Sequence, residues 1–149
     1  MTFKSLKQFL NIKMRMTGLY QYGSRDHDCP FCKLTKKRIL WKSPLLMEVK
    51  DIYPVSKNHT LLITKRHVAS AEDCTAAELR AIILRSKITM KSLRKLDKKI
   101  TGFNLGFNVG ESAGQTVPHV HFHIIPRRAG DHSNPRGGIR AVIPGKAVY

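Results

Sequence analysis

The sequence predicts an α+β domain, a mostly antiparallel sheet carrying one long amphipathic helix. Three observations predict it. Short β-rich runs bounded by turn residues occur both before and after a single helical segment. That segment opens with the capping-box pair Thr75 and Glu78, and its apolar residues recur at helical spacing. After Gly102 the hydrophobic period switches from about 3.6 to 2. Strands, one helix and strands again is the order of an α+β fold with sequential hairpins.

The elements follow in order. Residues 1–28 read as a basic N-terminal extension, with breaks at Gly18 and Gly23-Ser24, and residues 29–149 as the domain. Ile39-Leu40-Trp41 and Leu45-Leu46-Met47-Glu48-Val49 are two short strands around a turn at Ser43-Pro44. Asp51 to Asn58 is a loop, and Thr60-Leu61-Leu62-Ile63-Thr64 a buried strand. In the helix, Cys74 and Leu79 have the spacing of a hydrophobic staple. Leu79, Ile82, Ile83, Met90, Leu93 and Leu96 form its apolar stripe, and Arg80, Lys87, Lys91, Arg94, Lys95 and Lys98 its basic face. Phe103, Leu105, Phe107 and Val109 then alternate with Asn104, Gly106 and Asn108 as a strand with one apolar and one polar face. Gly110 to Gly114 is a loop, the histidine-rich strand follows, and residues 127–149 form an irregular tail.

Composition narrows the class. A chain of 149 residues fits one domain with a real core. No apolar run approaches the roughly 20 residues that span a bilayer, and no secretory h-region is present. The net charge is +17, with 22 of the 27 Lys and Arg in residues 1–100. Such a balance suits an anionic partner, a nucleotide, nucleic acid or acidic membrane, without choosing among them. The extension carries Lys4, Lys7, Lys13 and Arg15 with Phe3, Leu6, Leu10 and Met14 at helical spacing. A mitochondrial presequence shares that pattern; a basic extension packed on its own domain is the favoured reading. Three cysteines do not build a disulfide framework and point to a reducing, cytoplasmic setting.

The chemistry concentrates in His119-Val120-His121-Phe122-His123-Ile124-Ile125. In an extended strand the three imidazoles share one face, and Val120, Phe122 and Ile124 share the other. A row of imidazoles can hold a metal, as in a three-His metallohydrolase, or supply a nucleophile with neighbours that manage protons. Gln115 and Thr116 just upstream, and Asn104 and Asn108 on the adjacent strand, favour the nucleophile. Cys29-Pro30-Phe31-Cys32 is the first half of a tetrahedral metal site or a redox dithiol. His27 sits too near Cys29 for a compact site; His132 and Cys74 read as incidental. Arg127, Arg128, Arg136 and Arg140 read equally as polyphosphate-steering groups and as surface charge.

Taken with Asp51-Ile-Tyr-Pro-Val-Ser-Lys-Asn-His59-Thr-Leu-Leu-Ile and Gly114-Gln115-Thr-Val-Pro-His119, this row resembles the histidine triad family of nucleotide hydrolases and transferases. The resemblance spans roughly Cys29 to Tyr149. It implies a histidine-triad fold and a homodimer. It also implies cleavage at the α-phosphate of a nucleoside polyphosphate or phosphoramidate, through a nucleotidyl-histidine on His121. The tail from Asn134 resembles bacterial members of the diadenosine polyphosphate hydrolase type. By that resemblance the His119 carbonyl orients His121, His123 and His59 complete the hydrogen-bonded set, and Gln115 and Thr116 contact the phosphate and leaving group. Asp51 takes the ribose hydroxyls, while Asn108 and Gly114 line the phosphate side. Cys29, Cys32, His67 and His119 resemble the structural Zn²⁺ site of a subset of the family. Mg²⁺ arrives with the substrate, without protein ligands. A rival of another class is a nucleotide- or nucleic-acid-binding module that uses the basic helix. One departure stands out: Asn58 replaces the glycine that typically precedes the upstream histidine. Asn tolerates positive φ, so the turn survives; how closely backbone and ligand approach there is what changes.

Overall fold

The computed structural model describes residues 28–148. The basic extension, His27 and Tyr149 lie outside the described residues. The elements are β1 (Ile39–Lys42), β2 (Leu46–Lys50), β3 (Thr60–Thr64), α1 (Ala76–Leu96), β4 (Ile100–Gly106) and β5 (His121–Arg128). They build one five-stranded sheet in the order β1-β2-β3-β5-β4, antiparallel at every pairing. The predicted fold class is the observed one.

Local chemistry explains the turns. Ser43 Oγ accepts from the backbone N–H groups of Leu45 (3.2 Å) and Leu46 (3.0 Å), closing the β1–β2 hairpin. Asn58 adopts φ +69°, the left-handed conformation that its short amide side chain tolerates. The capping box forms at Thr75 and Glu78.

The sheet separates two clusters. On one face Leu46, Leu62, Phe122 and Ile124 pack with Ile82 of α1. On the other, Met47, Val49, Leu61 and Ile63 pack with Cys29, Phe31 and Cys32. Alternation along β5 therefore sends Phe122 and Ile124 to the helix and leaves His121 and His123 on the face of the cysteine loop.

Three boundaries differ from expectation. β5 begins at His121, and His119 lies in the bend before it. β4 runs from Ile100 to Gly106, three residues earlier than its apolar alternation suggests. Arg127 and Arg128 belong to β5, so the irregular tail starts later, with a 3-10 turn at Gly138–Val142.

The helix is turned partly off its apolar stripe: Ile82, Met90 and Leu93 keep to the core. Its buried residues are Glu78, Ile82, Ser86 and Thr89, while Leu79, Ile83 and Leu96 are exposed. Two polar networks impose the rotation. Arg66 reaches Glu78 through Nε (3.1 Å) and Nη2 (2.7 Å), and Glu48 accepts from Arg85 Nε (2.6 Å) and Thr89 Oγ1 (3.0 Å). Burial pushes the Glu78 carboxyl up, yet the hydrogen bonds from Arg66 and Thr75 outweigh it and hold the group below its ordinary value. A buried charge must keep its partner, so the helix presents these residues at the expense of Leu79 and Ile83. Glu78→Ala should strand the Arg66 guanidinium and lower stability by about 3–5 kcal/mol in urea unfolding. The double variant with Arg66→Ala should recover part of that loss; equal loss in both would dissolve the coupling.

Candidate active site

The three histidines of the row do not act as one cluster. His119 is fully buried, with Nδ1 toward the cysteines and Nε2 2.8 Å from the Thr64 carbonyl. Nε2–H is the donor to that carbonyl, which leaves the Nδ1 lone pair facing sulfur. The carbonyl of His119 in turn accepts from His121 Nδ1 at 2.7 Å. In the neutral ring this bond puts the proton on Nδ1 and the lone pair on Nε2, the tautomer a nucleophile needs.

His123 belongs to a second line of groups. Its Nδ1 is 3.0 Å from His59 Nε2, and His59 Nδ1 is 3.4 Å from Asp51 Oδ2. The β2–β3 hairpin brings Asp51 and His59 together: Lys50 pairs with Thr60, and the Asp51 N–H donates to the His59 carbonyl at 3.0 Å. Asp51 Oδ1 also accepts from the Tyr53 N–H at 2.8 Å, a turn contact. With Nδ1 held by His59, the gain or loss of one proton at Nε2 itself switches that nitrogen between donor and acceptor. That nitrogen is buried and, among the described residues, unpartnered. The His121 and His123 rings stand 5.1 Å apart, edge to face. An acid behind His59 escapes sequence reading, because Asp51 by itself is also an ordinary turn residue.

The third group is Cys29, Cys32, His67 and His119, whose ligand atoms all lie within 4.8 Å of one another. Cys29 Sγ is 3.3 Å from His119 Nδ1; Cys32 Sγ is 3.4 Å from His67 Nδ1 and 3.6 Å from His119 Nδ1. Around a tetrahedral zinc with bonds of about 2.3 Å to sulfur and 2.0 Å to nitrogen, such atoms stand about 3.5 Å apart. The two soft sulfurs and two imidazoles fit that ion. His121 belongs to no ligand group among the described residues, so a three-His metal centre has no geometric support.

The remaining predicted residues divide. Gln115 is committed to backbone: Nε2 donates to the carbonyls of Ala69 (2.6 Å), in the segment between β3 and α1, and Val117 (3.1 Å), and Oε1 accepts from the Gly110 N–H (2.9 Å). Gly114 ends the adjacent 3-10 turn at φ +81°, a conformation that would strain a side chain. Thr116 and Asn108 are exposed, and Asn108 lies two residues beyond Gly106, the partner of His123 across the sheet. Asn104 instead accepts from Arg127 Nη1 at 2.6 Å. Arg127 is further tied to Asp131 (2.7 Å) and Arg128 to Asp97 (2.8 Å), so these two are structural ion pairs rather than phosphate-steering groups. On the basic helix face Lys87, Lys91, Lys95 and Lys98 are solvated, and Arg94 stacks on Phe103.

The HIT domain family matches residues 33–130. The chain belongs to the HIT family. A HIT-like protein of Methanocaldococcus jannaschii is 37% identical over 107 residues, 69% of this chain and 81% of the relative. A bifunctional bis(5'-adenosyl)-triphosphatase/adenylylsulfatase of Arabidopsis thaliana is 31% identical over 99 residues, 66% of this chain and about half (54%) of the plant protein. The crystal structure of a zinc-bound histidine triad family protein from Mycobacterium smegmatis superposes with a TM-score of 0.65 at 28% identity, covering 72% of this chain and 80% of that one. HIT relatives thus include nucleotide hydrolases, and the five-stranded sheet with one helix is the HIT fold.

Electrostatics in this HIT domain favour neutral imidazoles. Burial first, then the neighbouring His121 and His59, push His123 down to about 4. Burial likewise lowers His59, partly countered by Asp51. An unfolded chain takes up the His123 proton near pH 6.5. Between about 6.5 and 4 the unfolded state binds more protons, so stability falls as pH drops, and the loss is complete below 4. His123 alone should cost on the order of 3 kcal/mol across that window. Urea unfolding from pH 7 to 4 should show a flatter profile in His123→Asn; an equally steep one would place the titration elsewhere.

Proposed function

We propose that this HIT protein is a nucleotidyl hydrolase or transferase acting at the α-phosphorus of an adenine nucleotide, with diadenosine polyphosphate the first substrate and adenosine phosphoramidate the second. The observation that carries the reading is the His121 ring, tied at Nδ1 by the His119 carbonyl at 2.7 Å, with the His123 ring, whose Nε2 is unpartnered, 5.1 Å away. Nε2 of His121 attacks the α-phosphorus. The bond to the leaving atom breaks, and that atom keeps the electron pair and takes the Nε2 proton of His123, which enters the step as an imidazolium favoured by the bound phosphates and leaves it neutral. A water then attacks the nucleotidyl-histidine, returning a proton through His123, and the phosphorus–nitrogen bond breaks to free the nucleoside monophosphate and His121. His59 and Asp51 hold the charge that this proton traffic creates, and Asp51 also stands where the resemblance puts the ribose contact. Gln115 reaches the leaving group only by releasing Ala69 or Val117, so its amide costs a hydrogen bond when it turns to substrate. Thr116, Gly114 and Asn108 complete the phosphate side, with Mg²⁺ carried in on the polyphosphate.

The Arabidopsis relative's two printed activities differ in leaving group and share the adenylyl group, which supports a reaction centred on the α-phosphorus. Cys29, Cys32, His67 and His119 are the zinc ligands of this reading, and bound zinc supplies a tetrahedral cross-link between the cysteine loop and the entry to β5. The exposed Leu79, Ile83, Leu84 and Ile88 of α1 support a homodimer, in which a second copy would cover apolar surface.

Incubation with diadenosine tetraphosphate or adenosine phosphoramidate, followed by acid-free quench and peptide mass mapping, should find an adenylyl group on His121. His121→Ala should lose turnover by at least about 10³-fold, the scale of removing a covalent nucleophile. Turnover of neither substrate, or unchanged turnover in that variant, would sink the reading. The purified protein should also contain zinc near one equivalent per chain by elemental mass spectrometry, and Cys32→Ser should lose it together with thermal stability. Metal-free wild type with an unchanged melting temperature on zinc addition would reject the zinc site.

A further inference from the structure

The hydrogen bond from His121 Nδ1 to the His119 carbonyl fixes one ring atom but leaves the ring plane free to swing about it. Two rings supply the missing restraint. Phe31 stands 5.1 Å from His121 at an interplanar angle of 60°, and His123 stands 5.1 Å away at 69°. Phe31 also meets His119 edge-on at 5.8 Å. These are ordinary attractive ring geometries, so the imidazole is gripped rather than merely touched.

Phe31 is not placed by a strand. It lies in the turn closed by hydrogen bonds from the N–H groups of Cys32 (3.1 Å) and Lys33 (3.2 Å) to the Cys29 carbonyl. What pins that turn to the sheet is the pair of sulfurs flanking it, Cys29 against His119 and Cys32 against His67 and His119. The ring itself is buried with Met47, Val49, Leu61 and Ile63.

We propose that Phe31 is a positioning residue for His121, seated by the Cys29–Cys32 loop, so that the metal-ligating cluster sets the ring plane of the nucleophile. The proposal rests on His121 being the nucleophile. It gives the cluster a part in catalysis beyond stability, because releasing the sulfurs loosens Phe31 and His119 at once. An in-line attack needs the Nε2 lone pair aimed at phosphorus, and a misplacement of about 1 Å costs on the order of 100-fold.

The test compares wild type with Phe31→Leu, Phe31→Tyr and Val49→Ala, the last a control that weakens the same cluster without touching His121. Single-turnover adenylylation and KM are measured, and imidazole ¹⁵N resonances are recorded for zinc-loaded and chelator-treated protein. Phe31→Leu should slow adenylylation about 10- to 100-fold at nearly constant KM, with Phe31→Tyr close to wild type and Val49→Ala unchanged. Chelation should shift the His121 resonances in wild type, and Phe31→Leu should shift them with zinc still bound. A raised KM with unchanged single-turnover rate would make Phe31 a substrate contact and overturn the proposal, as would His121 resonances indifferent to chelation. If wild type forms no adenylyl-histidine, the functional reading fails instead, and the resonances still decide whether Phe31 orients the ring.

Discussion

Everything at this site depends on His119, a residue whose side chain has no free end. Nε2 meets the Thr64 carbonyl, Nδ1 faces two sulfurs, and its own carbonyl holds His121 at 2.7 Å. The backbone that follows is tied as well, by the Val120 N–H to the Val68 carbonyl at 2.7 Å. A fully buried imidazole with every polar atom engaged has one orientation, so its carbonyl has one too. Burial lowers His119 to about 4, which keeps it neutral at ordinary pH and preserves the Nδ1 lone pair toward sulfur. Orientation and protonation of His121 are thus inherited from a neighbour that does not face the reacting atoms.

The sheet makes that inheritance reliable. Ile63 pairs with His121 and Leu61 with His123, so the two imidazoles stand beside buried aliphatic residues. A slip of one residue would turn Phe122 and Ile124 toward the cysteine loop and bury the histidines under α1. The apolar face of β5 therefore guards the register that the polar face uses. Antiparallel hairpins put His59 next to His123 and Asp51 next to His59, which turns three distant sequence positions into one proton line.

Much of this was legible in the sequence, for a physical reason. β3 from Thr60 to Thr64 and the Thr75–Glu78 cap are set by local chemistry, and local chemistry is what a sequence displays. The Cys29-Cys32-His67-His119 grouping was legible only through family resemblance, since nothing in the spacing of Cys32 and His67 forces them together. The rotation of α1 was hidden. Hydrophobic spacing points the helix through Leu79 and Ile83, and only tertiary contacts reveal that Glu48 and Arg66 need Thr89, Arg85 and Glu78 instead. Arg128 was misplaced for the same reason, since Asp97 becomes its partner only when β4 and β5 pair, whereas Arg127 meets Asp131 locally, four residues on.

The division of rigid and open parts also bears on substrate range. Groups that would meet the α-phosphorus and its proton are held by buried contacts: His119 and His59 are at most 4% exposed. Groups that the proposed reading puts around the phosphates and leaving group, Thr116, Asn108 and the neighbouring 3-10 turn at Glu111–Ala113, are exposed. Gln115, between them, is engaged with the backbone of Gly110 and Ala69 and must exchange hydrogen bonds to engage anything else. A site built this way discriminates strongly at the phosphorus, where misalignment is costly, and weakly at the leaving group, where water competes with every contact. On the proposed reading, that asymmetry would let one set of histidines serve several leaving groups.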